Sequence, residues 1–322
     1  MESRTLSGTD LVVSRIVLGT MTFGAQVDEA DAAVMVDQCL DYGVGFIDTA
    51  NVYNAGRAEE ILGRILKGRR DRVVLASKVG IKMGDGPDES GLSRAAITRG
   101  VEESLRRLQT DRLDLYYLHQ PDPATPLEES LEAMDRLVRA GKVRYVGASN
   151  YAAWQVCRLL GLVEAGGWAA VHVVQPMHNL LARGIEPEFL PMCRTFGLST
   201  VAYNPLAGGL LTGKHPDEAP IAGTRFERMP VYRDRYWHPA NLAAVRELAK
   251  AARAENRSLV SLAFCWMLNH TPVDCIVIGA SRPQQLRENL EAVEDGPLAP
   301  ETVATCDAVW KQLRGPFPQY NR

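Results

Sequence analysis

Apolar residues in this chain gather in short unbroken runs, separated by longer stretches in which they return every three or four positions. The short runs fall at residues 16–18, 44–47, 73–76, 113–118, 143–146, 171–174, 199–202 and 275–278. They lack strict alternation, as expected of parallel strands covered on both faces. The longer stretches read as amphipathic helices. Behind Ser93 the apolar positions are Ile97, Val101, Leu105 and Leu108. Thr125-Pro126-Leu127-Glu128 reads as a capping box with proline at the first helical position, and Gly141 ends that helix. Further helical patterns cover residues 30–42, 58–66, 151–165, 186–196, 241–254, 258–270 and 284–293.

Eight strands alternating with helices predict an α/β fold, a single (β/α)8 TIM barrel spanning residues 1–322 as one domain. Residues 3–14, around Gly8 and Asp10, predict an N-terminal β-hairpin, and residues 302–313 a C-terminal extra helix followed by a tail. A doubly wound sheet is the rival architecture. It is disfavoured because no G-x-G-x-x-G follows the first strand; Gly43-Val44-Gly45 comes closest, with Asp48 in the third glycine's position. About 37 residues separate the seventh run from the helix at Asn241, a length that usually signals function.

Composition narrows the partners. The 322 residues are 46% hydrophobic and 23% charged, with a net charge of −3, so there is no basic field for nucleic acid or an anionic membrane. Six cysteines are scattered without a C-x-x-C pair and read as thiols in a reducing cytosol. There is no apolar N-terminal signal region, and no apolar stretch approaches the roughly 18 residues of a membrane span. A cytoplasmic location is expected.

In a barrel of this kind the strand ends face the active site. Asp48 ends the second strand, with Tyr53 on the loop that follows; Lys78 ends the third strand and His119 the fourth. Alone, each has an ordinary reading: a turn residue, a packed ring, a solvated ammonium, a satisfied histidine. Their arrival at neighbouring strand ends makes them candidates for one pocket. The histidines show no H-x-x-x-H or H-E-x-x-H, so no metal is expected.

The motifs FIDTANVY, LASK, YYLHQPD, VGASNY, AYNPLAGGLLTGK and IGASRPQQLRENL resemble the aldo-keto reductases along nearly the whole chain. TPLEESLEAMDRLVRAGKVRYVGASNYAAWQV and VYRDRYW bring it closest to the aflatoxin-aldehyde and succinic-semialdehyde reductase branch. The resemblance implies an NADPH-dependent reductase of aldehydes or ketones, with semialdehydes or dicarbonyls favoured. It implies a catalytic tetrad of Asp48, Tyr53, Lys78 and His119. Tyr53 would give the proton, and Lys78, held charged by Asp48, would lower the phenol's pKa from about 10. His119 would orient the carbonyl.

The same resemblance places Ser149, Asn150 and Gln175 on the nicotinamide carboxamide and Tyr203 against the ring. The turn Asn204-Pro205-Leu206-Ala207-Gly208-Gly209-Leu210, running on to Lys214, would wrap the pyrophosphate, with Arg225 as a clamp. Gly279 precedes Ser281 and Arg282, the candidates for the 2′-phosphate, and Gln285, Glu288 and Asn289 match adenosine contacts. Ser281 reads as a helix cap with Gln284 at the capping-box position. Tyr232, Arg235 and Arg322 match substrate contacts, and Met21 and Phe23 could form an apolar wall or simply core. A homodimer is implied by resemblance alone. Two departures bear on the substrate: His178 stands where relatives often carry tyrosine, and the long loop is shorter than in the animal enzymes. Two alternatives stay open: a reductase of keto-sugars or other biosynthetic intermediates, and a slow-turnover NADPH-binding regulatory subunit.

Overall fold

The computed structural model describes residues 1–215 and 219–316. Two short antiparallel strands come first, β1 (Ser3–Thr5) and β2 (Val12–Ser14), paired Ser3 to Ser14 and Thr5 to Val12. The barrel strands follow: β3 (Ile16–Gly19), β4 (Phe46–Asp48), β5 (Val74–Val79), β6 (Leu113–Leu118), β7 (Val143–Ser149), β8 (Val171–Gln175), β9 (Ser199–Tyr203) and β10 (Cys275–Ile278). They close in chain order, with β10 pairing in parallel with both β9 and β3. Every apolar run of the sequence overlaps one of these strands, those at 44–47 and 73–76 beginning before β4 and β5.

Side chains alternate along a strand, so each strand has an inward and an outward face. Val17, Phe46, Ala76, Leu115, Tyr117, Val173, Val201 and Cys275 point in and pack as one cluster. Leu6, Leu11 and Val13 of the hairpin join it and close the N-terminal end. Each large apolar residue fully buried there, such as Phe46, contributes about 1.5–3 kcal/mol. Ile16, Leu18, Ile47, Leu75, Tyr116 and Leu118 point out and pack in the second cluster, beneath the helices. Those helices are α1 (Glu29–Asp41), α2 (Arg57–Ile65), α3 (Arg94–Leu108), α4 (Leu127–Arg139), α5 (Ala153–Gly166) and α6 (Phe189–Thr195).

The long connection after β9 is not structureless. It holds a 3-10 turn at Ala207–Thr212 and two short helices, α7 (Arg225–Arg228) and α8 (Pro230–Tyr236). Then come α9 (Pro239–Ala254) and α10 (Leu259–His270), and after β10 follow α11 (Pro283–Ala292) and α12 (Pro300–Arg314). Among the described residues no helix is long and apolar enough to cross a membrane.

Some local expectations need correcting. Ser93 does cap α3, accepting from the Ala96 amide at 3.1 Å. Thr125 does not cap α4: Pro126 takes that place, and the Thr125 hydroxyl donates instead to Asp122 at 2.7 Å. Asp122 outcompetes the helix because it also gathers the Leu92 and Ala124 amides. Ser281 does not cap α11 either; Arg282 is the capping residue, and Gln284 donates to Glu288 at 3.0 Å. The helix expected from residue 186 begins only at Phe189. Asp48 is the last residue of β4, as expected, whereas Lys78 is the last but one of β5 and His119 follows β6.

Candidate active site

Inward alternation continues past the apolar core and changes character at the C-terminal end. Phe46 is followed two residues on by Asp48, Ala76 by Lys78, Tyr117 by His119, Val173 by Gln175 and Val201 by Tyr203. The strand register therefore stacks a polar layer on the apolar one. Tyr117 forms its floor. Gly147 opposite makes room, since a Cβ there would come within 2.4 Å of the Tyr117 ring.

Lys78 is wholly buried. Its ammonium finds three acceptors: an Asp48 carboxylate oxygen in direct contact, the Thr49 carbonyl at 2.8 Å and the Tyr53 hydroxyl at 3.4 Å. Asp48, also buried, receives the Gln175 amide at 2.9 Å on its other oxygen. Burial works against the ammonium, but Asp48 and Tyr53 outweigh it and hold Lys78 above its ordinary value. The Lys78 nitrogen also lies 5.1 Å from the centroid of the Tyr53 ring and 5.8 Å from that of Tyr117.

Tyr53 opens a 3-10 turn, Tyr53–Gly56, rather than an irregular loop. Its neighbours Asn54 (φ 51°) and Ala55 (φ 54°) are left-handed, a conformation costly for residues with a Cβ. Asn54 secures the turn by donating to the Met21 carbonyl at 3.0 Å and the Phe23 carbonyl at 2.6 Å. The net shift of Tyr53 is opposite to expectation: burial pushes the phenol above its usual pKa, and Lys78 offsets that only in part. The resting side chain therefore keeps its proton at neutral pH.

His119 is buried at the pocket edge, its ring 6.1 Å from that of Tyr53 and nearly perpendicular to it. Burial, reinforced by the Lys78 charge, holds its pKa well below the usual 6.5, so the imidazole is neutral. Its Nδ1 has no hydrogen-bond partner among the described residues. A protonated phenol, a fixed ammonium and a neutral imidazole thus face one mouth. Such a set can orient a carbonyl oxygen and protonate it as negative charge develops.

The other expected site residues surround this centre. The Tyr203 hydroxyl donates to Asn150 at 2.7 Å; Asn150 donates to the His119 carbonyl at 2.9 Å, and Ser149 to the Gln175 carbonyl at 2.9 Å. Gln175 was expected on a carboxamide, but in this structure its side chain is engaged by Asp48. In the turn after β9, Gly208 (φ 71°) and Gly209 (φ 108°) are left-handed, and a Cβ on Gly209 would enter open space. Ala207 and Leu210 are buried in the core, so they offer a ligand only backbone. Lys214, Arg225 and Arg282 form no ion pair with another described residue, though the Arg225 guanidinium lies 4.9 Å from the Tyr232 ring centroid. The amides of Ala207, Gly208 and Gly209 are engaged within the turn, so what it offers a phosphate-bearing cofactor is close approach of glycine backbone, beside cations without an ion pair among the described residues.

Ser281 gives both its amide and its hydroxyl to Gln285, at 3.0 and 3.1 Å. Asn289 turns inward to the Gly279 carbonyl at 3.4 Å and is buried, so it does not share the exposed helix face. Tyr232 lies over Gly208, and Arg235 is 5.7 Å from the Tyr232 ring centroid. Met21 is half-buried beside the Tyr53 turn, whereas Phe23 is core rather than wall. Arg322 lies outside the described residues. Among the described residues no group of three or more His, Cys, Asp or Glu is placed to hold a metal ion.

The sequence pattern of the aldo/keto reductase family matches residues 15–311. The chain belongs to that family. It is an oxidoreductase acting on carbonyl groups. Human aflatoxin B1 aldehyde reductase member 2 is 37% identical over 95% of this chain and 89% of its own length. Human aldo-keto reductase family 7 member A3 is 38% identical over 95% and 96%. A probable voltage-gated potassium channel subunit beta of rice is 36% identical over 96% of each chain.

Proposed function

We propose that this protein reduces aldehydes or ketones with NADPH, that Tyr53 is the proton donor, and that it acts in the cytoplasm. The observation carrying this reading is the Tyr53 hydroxyl 3.4 Å from a buried, carboxylate-paired Lys78. The bound dihydronicotinamide supplies the hydride. Neutral His119 donates to the substrate oxygen and holds it beside Tyr53. The Tyr53 O–H bond breaks as the alkoxide forms, and the phenolate left behind is stabilised by Lys78. Asp48 keeps Lys78 protonated, and Gln175 fixes the second Asp48 oxygen.

Lys214 and Arg225 are the cations we assign to the cofactor diphosphate, and the backbone of Asn204–Leu210 the segment that would approach it. Arg282, exposed at the head of α11, is the partner we assign to a 2′-phosphate, which favours NADPH over NADH. Ser281 would join it once released by Gln285. Arg235 and Tyr232 stand over the mouth, and a guanidinium there suits a substrate bearing a carboxylate or second carbonyl. The human relative named as an aflatoxin B1 aldehyde reductase supports an aldehyde as the substrate.

A second reading is a cofactor-binding regulatory subunit with slow turnover; the relative named as a probable potassium channel subunit beta supports the subunit role alone. Steady-state NADPH oxidation with a panel of aldehydes separates the two: many turnovers mark an enzyme, a single stoichiometric oxidation the subunit. Within the enzyme reading, Tyr53→Phe lowers kcat at least about 100-fold, the scale of a lost general acid, while NADPH still binds. Normal turnover in that variant removes Tyr53 from the mechanism.

A further inference from the structure

Tyr236 closes α8 with its ring 1% exposed and its hydroxyl at a junction of three chain segments. It accepts from Asn179 Nδ2 at 3.0 Å and from Asn204 Nδ2 at 2.8 Å, and donates to the Met177 sulfur at 3.1 Å. Met177 and Asn179 follow β8. Asn204 begins the glycine-rich turn after β9. It is left-handed (φ 67°), and its side-chain oxygen accepts from the Gly208 amide at 2.7 Å. Asn179 also donates to the Asn204 carbonyl at 3.1 Å. One turn earlier on α8, Tyr232 covers Gly208, where a Cβ would come within 2.8 Å of its ring.

The turn and the helix over the mouth therefore touch at two points. One is a ring against a glycine; the other is a hydroxyl whose two acceptor positions are filled by the amides of buried Asn179 and half-buried Asn204. A phenylalanine would fill the same volume and lose only the second. We propose that the Tyr236 hydroxyl is a positioning group that couples occupancy of the turn at 204–214 to the seating of α8. A diphosphate held by the turn thereby steadies Tyr232 and Arg235 over the mouth. This rests on the reading that a nicotinamide dinucleotide phosphate binds that turn.

The test is limited proteolysis with trypsin, following cleavage after Arg233 and Arg235, both exposed but in helix, with and without saturating NADP+. Binding of NADP+ is measured separately by calorimetry. Couplings of this kind amount to about 5- to 150-fold, so NADP+ should slow cleavage of the native protein about tenfold. In Tyr236→Phe the slowing should fall below about twofold while NADP+ still binds. Asn179→Ala loosens the same junction but keeps the Tyr236–Asn204 bond, and should retain the slowing. Absence of NADP+ binding to the native protein overturns the cofactor reading and this one with it. Binding without slowing in the native protein overturns the coupling alone. So does full slowing in Tyr236→Phe, or equal loss in Asn179→Ala.

Discussion

Replacing Asp48 by asparagine preserves shape and removes one charge from the most enclosed ion pair of the site. Lys78 has no exposure and the Asp48 side chain only 3%. Both neighbours of the Asp48 carboxylate are donors, the Lys78 ammonium and the Gln175 amide. An asparagine offers one acceptor oxygen, so whichever way it turns, its own NH2 group meets a donor. Breaking a buried pair by removing one partner costs about 3–5 kcal/mol, because the surviving charge is left uncompensated. Urea unfolding at pH 7 should show Asp48→Asn less stable by that amount. Asp48→Asn/Lys78→Met, which also removes the ammonium, should recover most of it.

The pH dependence gives this prediction a second edge. In the native protein Lys78 is held above its ordinary value, so its contribution is fully present below about pH 10.4 and is lost as pH rises through the raised value. In the variant the buried ammonium has no carboxylate, and its pKa drops below that of the unfolded chain. The unfolded state then binds more protons, so the variant gains stability as pH rises toward about 10.4. The gap between the two proteins should narrow from pH 7 to pH 10. A loss under about 1 kcal/mol with no narrowing would show that water screens the pair, and the argument for a dry, fixed ammonium beside Tyr53 would fail.

His178 is buried, and burial, assisted by Arg183 and opposed by a bond to the Ala182 carbonyl, lowers its pKa from 6.5 to about 4. Its Nε2 also lies 3.5 Å from Glu186. The folded state refuses a proton that the unfolded state takes, so stability is full above about pH 6.5 and falls as pH drops; at pH 5.5 the loss is about 1.4 kcal/mol. Urea unfolding at pH 7.5 and 5.5 should show His178→Asn losing less than the native protein by about that amount, and equal losses would place the acid sensitivity elsewhere. Arg282→Ala should cut the preference for NADPH over NADH about tenfold or more, the worth of one hydrogen bond to a charged group. The ratio of kcat/KM for the two cofactors measures it, and an unchanged ratio would remove Arg282 from the 2′-phosphate.

The apolar runs located every barrel strand, because a parallel strand between core and helices needs hydrophobic residues on both faces. They misplaced the ends in one direction. The run at 73–76 belongs to a strand reaching Val79, the run at 143–146 to one reaching Ser149, and the run at 171–174 to one reaching Gln175. Hydrophobicity stops there while the backbone ladder goes on, so a strand looks shortest where its inward side chains turn polar. The cap at Thr125 was illegible for a related reason: it depended on which of two polar partners would win. The Tyr236 junction shows the limit most plainly. Its amide partners lie 57 and 32 residues away, on loops brought together only when β8 and β9 pair. A tyrosine at the end of a short helix carries no mark of such a task; closure of the sheet sets its partners and, with them, what its hydroxyl can do.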